Sequence, residues 1–177
     1  MRRLLFLAPV LAFVLVMAGF ALGLRRDPSL LPSVLIGKPL PAFALAPVRP
    51  GDQGFTNADL GGEPALVNVY GSWCATCRIE HPMLMRLRAQ GVPVYGIDWM
   101  DTAEKGNGWL QQFGDPYIRV GNDESGRTGI DLGVSGAPET FVVDKQGRVR
   151  YRHVGEITED DWTRKIGPLM EKLKAES

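Results

Sequence analysis

Residues 65–77 of the chain read ALVNVYGSWCATC: an apolar run, a Gly-Ser turn and a Cys-x-x-Cys pair. The run from 65 to 70 has the length and composition of a buried strand. Beyond the cysteines, apolar residues recur every four positions up to Gly91, which predicts an amphipathic helix. They are Ile79, Met83 and Leu87. The two cysteines therefore lie where a strand gives way to a helix.

The position of Cys74 favours a reactive thiolate. At the first turn of a helix, unpaired backbone N–H groups and the positive end of the helix dipole stabilise a negative sulfur. Cys77 lies one turn further along the same face, close enough to attack a mixed disulfide formed at Cys74. We therefore predict that Cys74 is a nucleophile and that Cys77 resolves the covalent intermediate.

Two other roles for the cysteine pair are weaker. A static disulfide would close a loop of only four residues. It would stabilise the fold by about 2 kcal/mol, against roughly 5 kcal/mol for a loop of about 100 residues. A zinc site would need Cys74, Cys77, His81 and His153, but nothing in the sequence positions His153 or supplies a second close pair. Because Cys-x-x-Cys after a strand is more often redox-active, we predict disulfide exchange.

Downstream of the cysteines the pattern alternates between strands and helices. It predicts strands at 92–99 and 117–120, a helix at 102–113, a hairpin of strands 140–144 and 149–153, and a closing amphipathic helix at 158–174. Strand, helix and strand, followed by a hairpin and a helix, imply an α/β fold with a mixed sheet covered on both faces.

The composition narrows the classes of function. The 177 residues carry 20 Lys plus Arg against 20 Asp plus Glu, and only two Cys. Zero net charge and the lack of a basic cluster argue against nucleic-acid binding. Two cysteines are too few for a disulfide scaffold, and charged residues at 23% are too ordinary for a disordered chain. The composition fits one domain of roughly 100 to 150 residues with an accessory segment.

The accessory segment is an uncharged stretch near the N-terminus. Residues 4–24 are 21 consecutive uncharged positions, and as a helix they would reach about 30 Å, the thickness of a hydrocarbon core. We expect an uncleaved anchor over 1–24, a linker over 25–34 and a globular domain over 35–177. A cleaved signal peptide is the alternative, although its apolar region is usually roughly 7 to 15 residues long. The flanking arginines nearly balance, so charge alone leaves the topology open.

Several motifs together resemble a known family. The Cys-x-x-Cys pair at a strand-to-helix turn, with Pro82 five positions after Cys77 and Gly136-Ala137-Pro138 before a strand, is similar to the thioredoxin superfamily. Longer stretches resemble its membrane-anchored branch of reductases in cytochrome c maturation, called DsbE or CcmG. They are residues 35–39 (LIGKP), 73–81 (WCATCRIEH), 133–141 (GVSGAPETF) and 151–153 (YRH). The resemblance extends from residue 35 to about residue 171.

The resemblance implies a thioredoxin-like fold, a mixed central sheet flanked by helices, with an N-terminal strand extension and one transmembrane helix before it. It also implies a cis bond between Ala137 and Pro138. Such a loop would lie against the Cys74 sulfur, and its backbone could pair with an extended client chain. Trp73, Ala137, Pro138 and Glu139 are then expected at the substrate-binding surface.

Glu80 is the residue expected to tune the cysteines. A nearby carboxylate opposes thiolate formation and raises a cysteine pKa. Asn68 stands where thioredoxins commonly carry a buried acid, and an amide cannot accept a proton there. We therefore hypothesise that Glu80 or a water assists Cys77. The alternative is that Glu80, like Glu139, is a solvated surface carboxylate.

The resemblance further implies reductive exchange with a protein client. The client would be apocytochrome c or a cysteine-bearing subunit of the haem lyase, and a membrane thiol transporter would supply the electrons. The catalytic domain would then be periplasmic, the N-terminus cytoplasmic, and the anchor a single pass of the inner membrane. We expect a monomer without metal or organic cofactor, because the cysteine pair carries the electrons. The alternatives are a general periplasmic reductase, an oxidant, or a copper or zinc chaperone that uses Cys74 and Cys77.

Overall fold

A computed structural model describes residues 2–23 and 33–176. The chain divides into two compact units, Met1–Leu31 and Pro32–Ser177. In the first unit, α1 (Arg2–Gly23) is a helix that contains Pro9. Within the described ranges, no helix combines the length and the hydropathy needed to cross a membrane. Most of the predicted linker lies outside the described residues.

The second unit is built on one sheet of seven strands. These are β1 (Ala44–Pro47), β2 (Phe55–Thr56), β3 (Ala65–Tyr70), β4 (Val94–Trp99), β5 (Val120–Asp123), β6 (Glu139–Val143) and β7 (Val149–Val154). Their order across the sheet is β2-β1-β5-β4-β3-β6-β7. Strands β3, β4 and β5 are parallel, whereas β6 and β7 on one side and β1 and β2 on the other run antiparallel to their neighbours. The predicted mixed sheet is confirmed.

Helices follow the strands in the predicted order. They are α2 (Ala75–Ala89), α3 (Ala103–Phe113), α4 (Arg127–Leu132), α5 (Glu159–Asp161) and α6 (Gly167–Ala175), with a π-helical turn (Trp162–Ile166) joining the last two. Thr102 and Thr158 cap α3 and α5, because each side chain accepts a backbone N–H from three residues further on. The helices predicted from the apolar spacing are confirmed.

One strand lies later than its prediction. A strand was expected at 117–120, but β5 begins at Val120. The Asp115 side chain accepts the N–H of Tyr117 at 2.9 Å, which makes a turn of the preceding residues. The Tyr117 side chain is buried in the core. Its apolar character therefore reflects core packing in a loop.

The short elements β1, β2 and α4 were not located from the sequence. Strands β1 and β2 have four and two residues, too few for a period to be recognised. Helix α4 has six residues and is bounded by Gly126 and Gly133, both in the left-handed conformation. The left-handed Gly133 ends the helix. Gly126, at its N-cap, has no side chain to mark the start.

The core lies on both faces of β3. Leu66 and Tyr70 face the cluster that includes side chains of α2, α3 and α6. Val67 and Val69 face the opposite cluster, with Leu132 of α4. All six residues of β3 are buried, as expected of a central strand between two layers. Asn68 shares the face of Leu66 and Tyr70, so the strand carries one amide into the layer beneath α2.

Candidate active site

The cysteine pair forms a disulfide at the start of α2. Cys74 and Cys77 are bonded, with their Cα atoms 5.3 Å apart. Cys74 is the N-cap of α2, and its Sγ accepts the N–H of Cys77 at 3.0 Å. This is the backbone donor that a helix N-terminus was expected to direct at the sulfur. Both side chains are largely buried, Cys74 at 5% exposed and Cys77 at 2%.

The turn before Cys74 is held by a carboxylate from the loop that follows β4. The Ser72 N–H donates to Asp101 Oδ2 at 2.7 Å. Trp73 follows with 53% of its surface exposed, and its Nε1 donates to the Trp99 carbonyl at 3.3 Å. Trp73 therefore presents an exposed indole next to Cys74, where a client could contact it.

The loop before β6 packs against Cys74. The Ala137–Pro138 peptide bond is cis, as the resemblance implied. The Ala137 carbonyl oxygen lies 3.3 Å from Cys74 Sγ. When the pair is reduced, a thiol at this position can donate to that carbonyl, and a neighbouring peptide group is available to an extended chain.

Glu80 is a buried acid and not a solvated carboxylate. Its side chain is 2% exposed, and its Oε1 accepts the Ile157 N–H at 2.8 Å. Burial raises the pKa of Glu80 to about 7, although its hydrogen bonds with Ile157 and Asn68 oppose that rise. Glu80 lies three residues after Cys77 on α2, so the two side chains share a helix face. A carboxyl that titrates near neutrality can exchange a proton at physiological pH.

A set of hydrogen bonds orients the amide that faces Glu80. Asn68 Nδ2 donates to Glu80 Oε2 at 3.0 Å and to Thr140 Oγ1 at 3.0 Å. Asn68 Oδ1 accepts the Tyr117 hydroxyl at 2.8 Å. With its oxygen bonded to Tyr117, the amide directs its nitrogen towards the Glu80 carboxyl.

Glu139 does not line the client surface. The sequence placed it at the substrate-binding surface beside Pro138, but its side chain is completely buried. Arg152 pairs with it, with a shortest distance of 2.7 Å. Glu139 begins β6, so its side chain points into the sheet layer, where a single charge must be compensated. The Glu139 carboxylate is therefore covered by protein in this structure and is not exposed beside Pro138 as expected.

Both histidines contact backbone carbonyl oxygens through Nε2. His81 Nε2 lies 3.1 Å from the Gly114 carbonyl, and His153 Nε2 lies 2.8 Å from the Glu156 carbonyl. Across the residues described, no group of three or more His, Cys, Asp or Glu side chains is arranged to hold a metal ion.

Comparison with known proteins identifies the family. The model of the Redoxin family matches residues 35–166. The thiol:disulfide interchange protein DsbE of Pseudomonas aeruginosa is 46% identical over 173 residues, covering 98% of this chain and 96% of the relative. This chain belongs to the DsbE family. HelX, the thiol:disulfide interchange protein of Rhodobacter capsulatus, is 44% identical over 96% of each chain.

A solved structure supports the DsbE assignment. A protein from Chlorobium tepidum that is assigned to DsbE superposes with a TM-score of 0.58 at 29% identity, covering 74% of this chain and 93% of its own. Membership of this family, together with the disulfide-bonded Cys-x-x-Cys pair, makes the chain a thiol-disulfide oxidoreductase.

Four supporting residues of this DsbE protein were missed from the sequence. They are Tyr117, Thr140, Ile157 and Arg152, which bond Asn68, Glu80 or Glu139. Thr140 is directly opposite Asn68 in the β3–β6 pairing, so a correct strand pairing would have revealed it. The other three come from loops and from a hairpin register that no local pattern shows.

Proposed function

We propose that this protein reduces disulfides of apocytochrome c, or of a cysteine-bearing haem-lyase subunit, in the periplasm. The observation that carries the proposal is the Cys74–Cys77 pair, whose first sulfur lies 3.3 Å from the Ala137 carbonyl. The peptide groups beside it suit an extended polypeptide of any sequence. The resemblance to DsbE and CcmG supports the choice of client.

The reaction is an exchange of one disulfide for another. The Cys74 thiolate attacks one sulfur of the client disulfide, the client S–S bond breaks, and the departing client thiolate takes up a proton. The Cys77 thiolate then attacks Cys74 and releases the second client thiol. The client gains two electrons and two protons, and the Cys74–Cys77 disulfide forms. No metal or organic cofactor takes part, and a membrane thiol transporter restores the reduced pair.

Glu80 assists the second half of this exchange. Cys77 must lose a proton before it attacks, and a carboxyl with a pKa near 7 accepts a proton well at neutral pH. Asn68 holds that carboxyl from the side opposite Ile157. Glu80 therefore takes the proton of Cys77, because Asn68 stands where thioredoxins commonly carry a buried acid and cannot accept it.

We also propose that the domain is a monomer tethered to the inner membrane by residues 4–24, with the N-terminus in the cytoplasm. The sequence there is uncharged over 21 positions. Among the side chains of α1 that the structure describes, eight large apolar ones are exposed: Val10, Leu11, Phe13, Val14, Leu15, Val16, Met17 and Phe20. Carbonate washing of membranes tests the tether. Retention of the full-length chain is expected, whereas release of a chain that lacks residues 1–23 would show cleavage instead.

A Cys77→Ala variant tests the client. Without Cys77 the mixed disulfide at Cys74 cannot be resolved, so a covalent complex with an apocytochrome c or a haem-lyase subunit should accumulate and vanish on reduction. Cys74→Ala is the matched control and should trap nothing. Covalent partners unrelated to cytochrome c would favour a general reductase. A reduction potential of the Cys74–Cys77 pair as oxidising as that of DsbA, measured by equilibration with glutathione, would show that the protein is not a reductase.

A further inference from the structure

We propose that Arg152 and Glu139 are a positioning pair that holds residues 135–137, called here the proline loop, against the cysteine pair. The pair keeps the Ala137 carbonyl at the Cys74 sulfur and keeps the loop backbone ready for a client. This inference rests on the proposed function, because the surface it maintains is the one that binds a polypeptide client.

Arg152 donates hydrogen bonds from two nitrogens to the Glu139 carboxylate. Arg152 Nε donates to Oε2 at 2.8 Å, and its terminal nitrogen donates to Oε1 at 2.9 Å. The Arg152 side chain is 12% exposed and that of Glu139 is fully buried. Two-point contacts of this kind fix the direction of both groups as well as their distance.

The same carboxylate binds the proline loop. Glu139 Oε1 accepts the Ser135 N–H at 2.8 Å, the Ser135 hydroxyl at 2.6 Å and the Gly136 N–H at 3.1 Å. Arg152 also donates to the Ser135 hydroxyl at 3.2 Å. Glu139 therefore connects a rigid strand pair to the two residues that precede Ala137.

The hairpin register makes this contact possible. Phe141 is opposite Arg152 and Glu139 is opposite Val154, so Glu139 and Arg152 are diagonal neighbours on one face. The register shifts between Val142 and Val143. Without that bulge, Arg152 would be opposite Thr140 and would point to the other face. The bulge, whose extra residue is Arg150 of β7, thus brings the guanidinium to the carboxylate.

Burial explains why a pair is used. A carboxylate removed from water is costly unless its hydrogen-bonding capacity is filled. Here the loop N–H groups and the arginine fill it together. Removal of Arg152 leaves a buried charge bonded only to the proline loop, so the loop and the carboxylate must both move. The Ala137 carbonyl then leaves the Cys74 sulfur.

The test compares Arg152→Gln with Arg150→Gln in the full-length protein. Arg150 is a matched control on the same strand, since it pairs with buried Asp144 at 3.2 Å and with Glu176 at 2.7 Å. Each variant is assayed on a synthetic peptide with a Cys-x-x-Cys-His disulfide and on hydroxyethyl disulfide, which has no peptide backbone. The third measurement is the rate at which iodoacetamide alkylates Cys74 in the reduced protein at acid pH.

We expect Arg152→Gln to lower kcat/KM for the peptide about tenfold while hydroxyethyl disulfide changes less than about twofold. Alkylation of Cys74 should become about threefold faster, because a carbonyl that accepts from the thiol no longer disfavours the thiolate. Arg152→Lys keeps the positive charge but lacks the planar guanidinium that makes two hydrogen bonds. Its kcat/KM for the peptide and its alkylation rate should lie between those of Arg152→Gln and the wild type.

Unchanged peptide kinetics and unchanged alkylation in Arg152→Gln would overturn the positioning role, and so would the same changes in Arg150→Gln. Failure of the proposed function looks different. In that case the wild-type protein itself would not reduce the peptide, and the alkylation rates would still decide whether Arg152 positions the loop.

Discussion

Asn68 Nδ2 donates to Glu80 Oε2 at 3.0 Å, so that a buried amide faces the one buried carboxyl on α2. In the proposed exchange, Asn68 orients the carboxyl of Glu80 and Glu80 accepts the proton.

Glu80→Gln should flatten the pH dependence of stability. Burial raises the pKa of Glu80 from 4.5 to about 7. Between these values the folded protein holds a proton that the unfolded chain releases, so the free energy of unfolding falls as pH rises. The fall due to this group is about 3 kcal/mol between roughly pH 4 and pH 8. Urea denaturation of the oxidised full-length protein at both pH values measures it.

The wild-type protein should lose about 3 kcal/mol more than Glu80→Gln between the two pH values. Both proteins also lose the contribution of buried Asp98, because burial raises the pKa of that carboxyl to about 7. An equal loss in both proteins would show that Glu80 does not hold its proton in the fold. The reduced variant should also turn over a peptide disulfide roughly tenfold to a hundredfold more slowly, because it has no base for Cys77.

Tyr117→Phe should raise the pKa of Glu80, although Tyr117 bonds Asn68 and not Glu80. The Tyr117 hydroxyl donates to Asn68 Oδ1 at 2.8 Å, and its loss leaves a buried acceptor unsatisfied at a cost of about 1 to 3 kcal/mol. The freed amide can turn its oxygen towards Glu80, which would raise the pKa of that carboxyl further. A matched control is Tyr95→Phe, since the Tyr95 hydroxyl donates to the Asp59 carbonyl at 3.1 Å and not to Asn68.

The measurement for Tyr117→Phe is the pH profile of peptide-disulfide reduction. Its midpoint should move to higher pH in Tyr117→Phe and stay in place in Tyr95→Phe. Identical profiles in all three proteins would contradict an orienting role for Tyr117.

Gly106→Ala and Gly108→Ala, both in α3, should have opposite effects on stability. A Cβ at Gly106 would lie 2.0 Å from the Oδ2 of Asp98, which is fully buried, whereas a Cβ at Gly108 meets nothing within 4 Å. We expect Gly106→Ala to destabilise the fold by about 2 kcal/mol or more. Gly108→Ala should stabilise it by up to about 1 kcal/mol, since alanine favours a helix. Thermal unfolding measures both, and an equal gain in stability would contradict the close approach at Gly106.

Trp73→Ala should weaken client binding with little effect on stability. The indole is 53% exposed beside Cys74, so its removal should change the free energy of unfolding by less than about 1 kcal/mol. The KM for a peptide disulfide should rise roughly fivefold to tenfold, because an exposed aromatic anchor is lost. Ile36→Ala is the control, as this exposed side chain is next to Gly37, which bonds Val149 at the far end of the β6–β7 hairpin. A KM that does not change in Trp73→Ala would remove Trp73 from the client surface.

Local signals in the sequence were sufficient to predict much of the fold and the position of the two cysteines in it. An apolar run of strand length, a turn and a repeat of four residues place Cys74 at a helix N-terminus, and the structure has it as the N-cap of α2. These features depend on residues close together in the chain, so their physics can be read locally. Residues 65–77 thus determined the central β3–α2 unit and the position of the Cys74–Cys77 pair at its turn.

The surroundings of the two acids were decided only in three dimensions. Glu80 was equally compatible with a solvated surface, and it is buried because β3 presents Asn68 beneath α2 and the loop after β7 brings the Ile157 N–H to it. Glu139 was expected to face a client and is instead buried against Arg152.

The burial of Glu139 against Arg152 has a specific physical cause. A side chain changes face with every one-residue shift of register. The bulge between Val142 and Val143 therefore determines that Arg152 meets Glu139. The hairpin sequence predicts two strands and a turn, but the burial of a charge and the identity of its partner follow from the register that the packed sheet adopts.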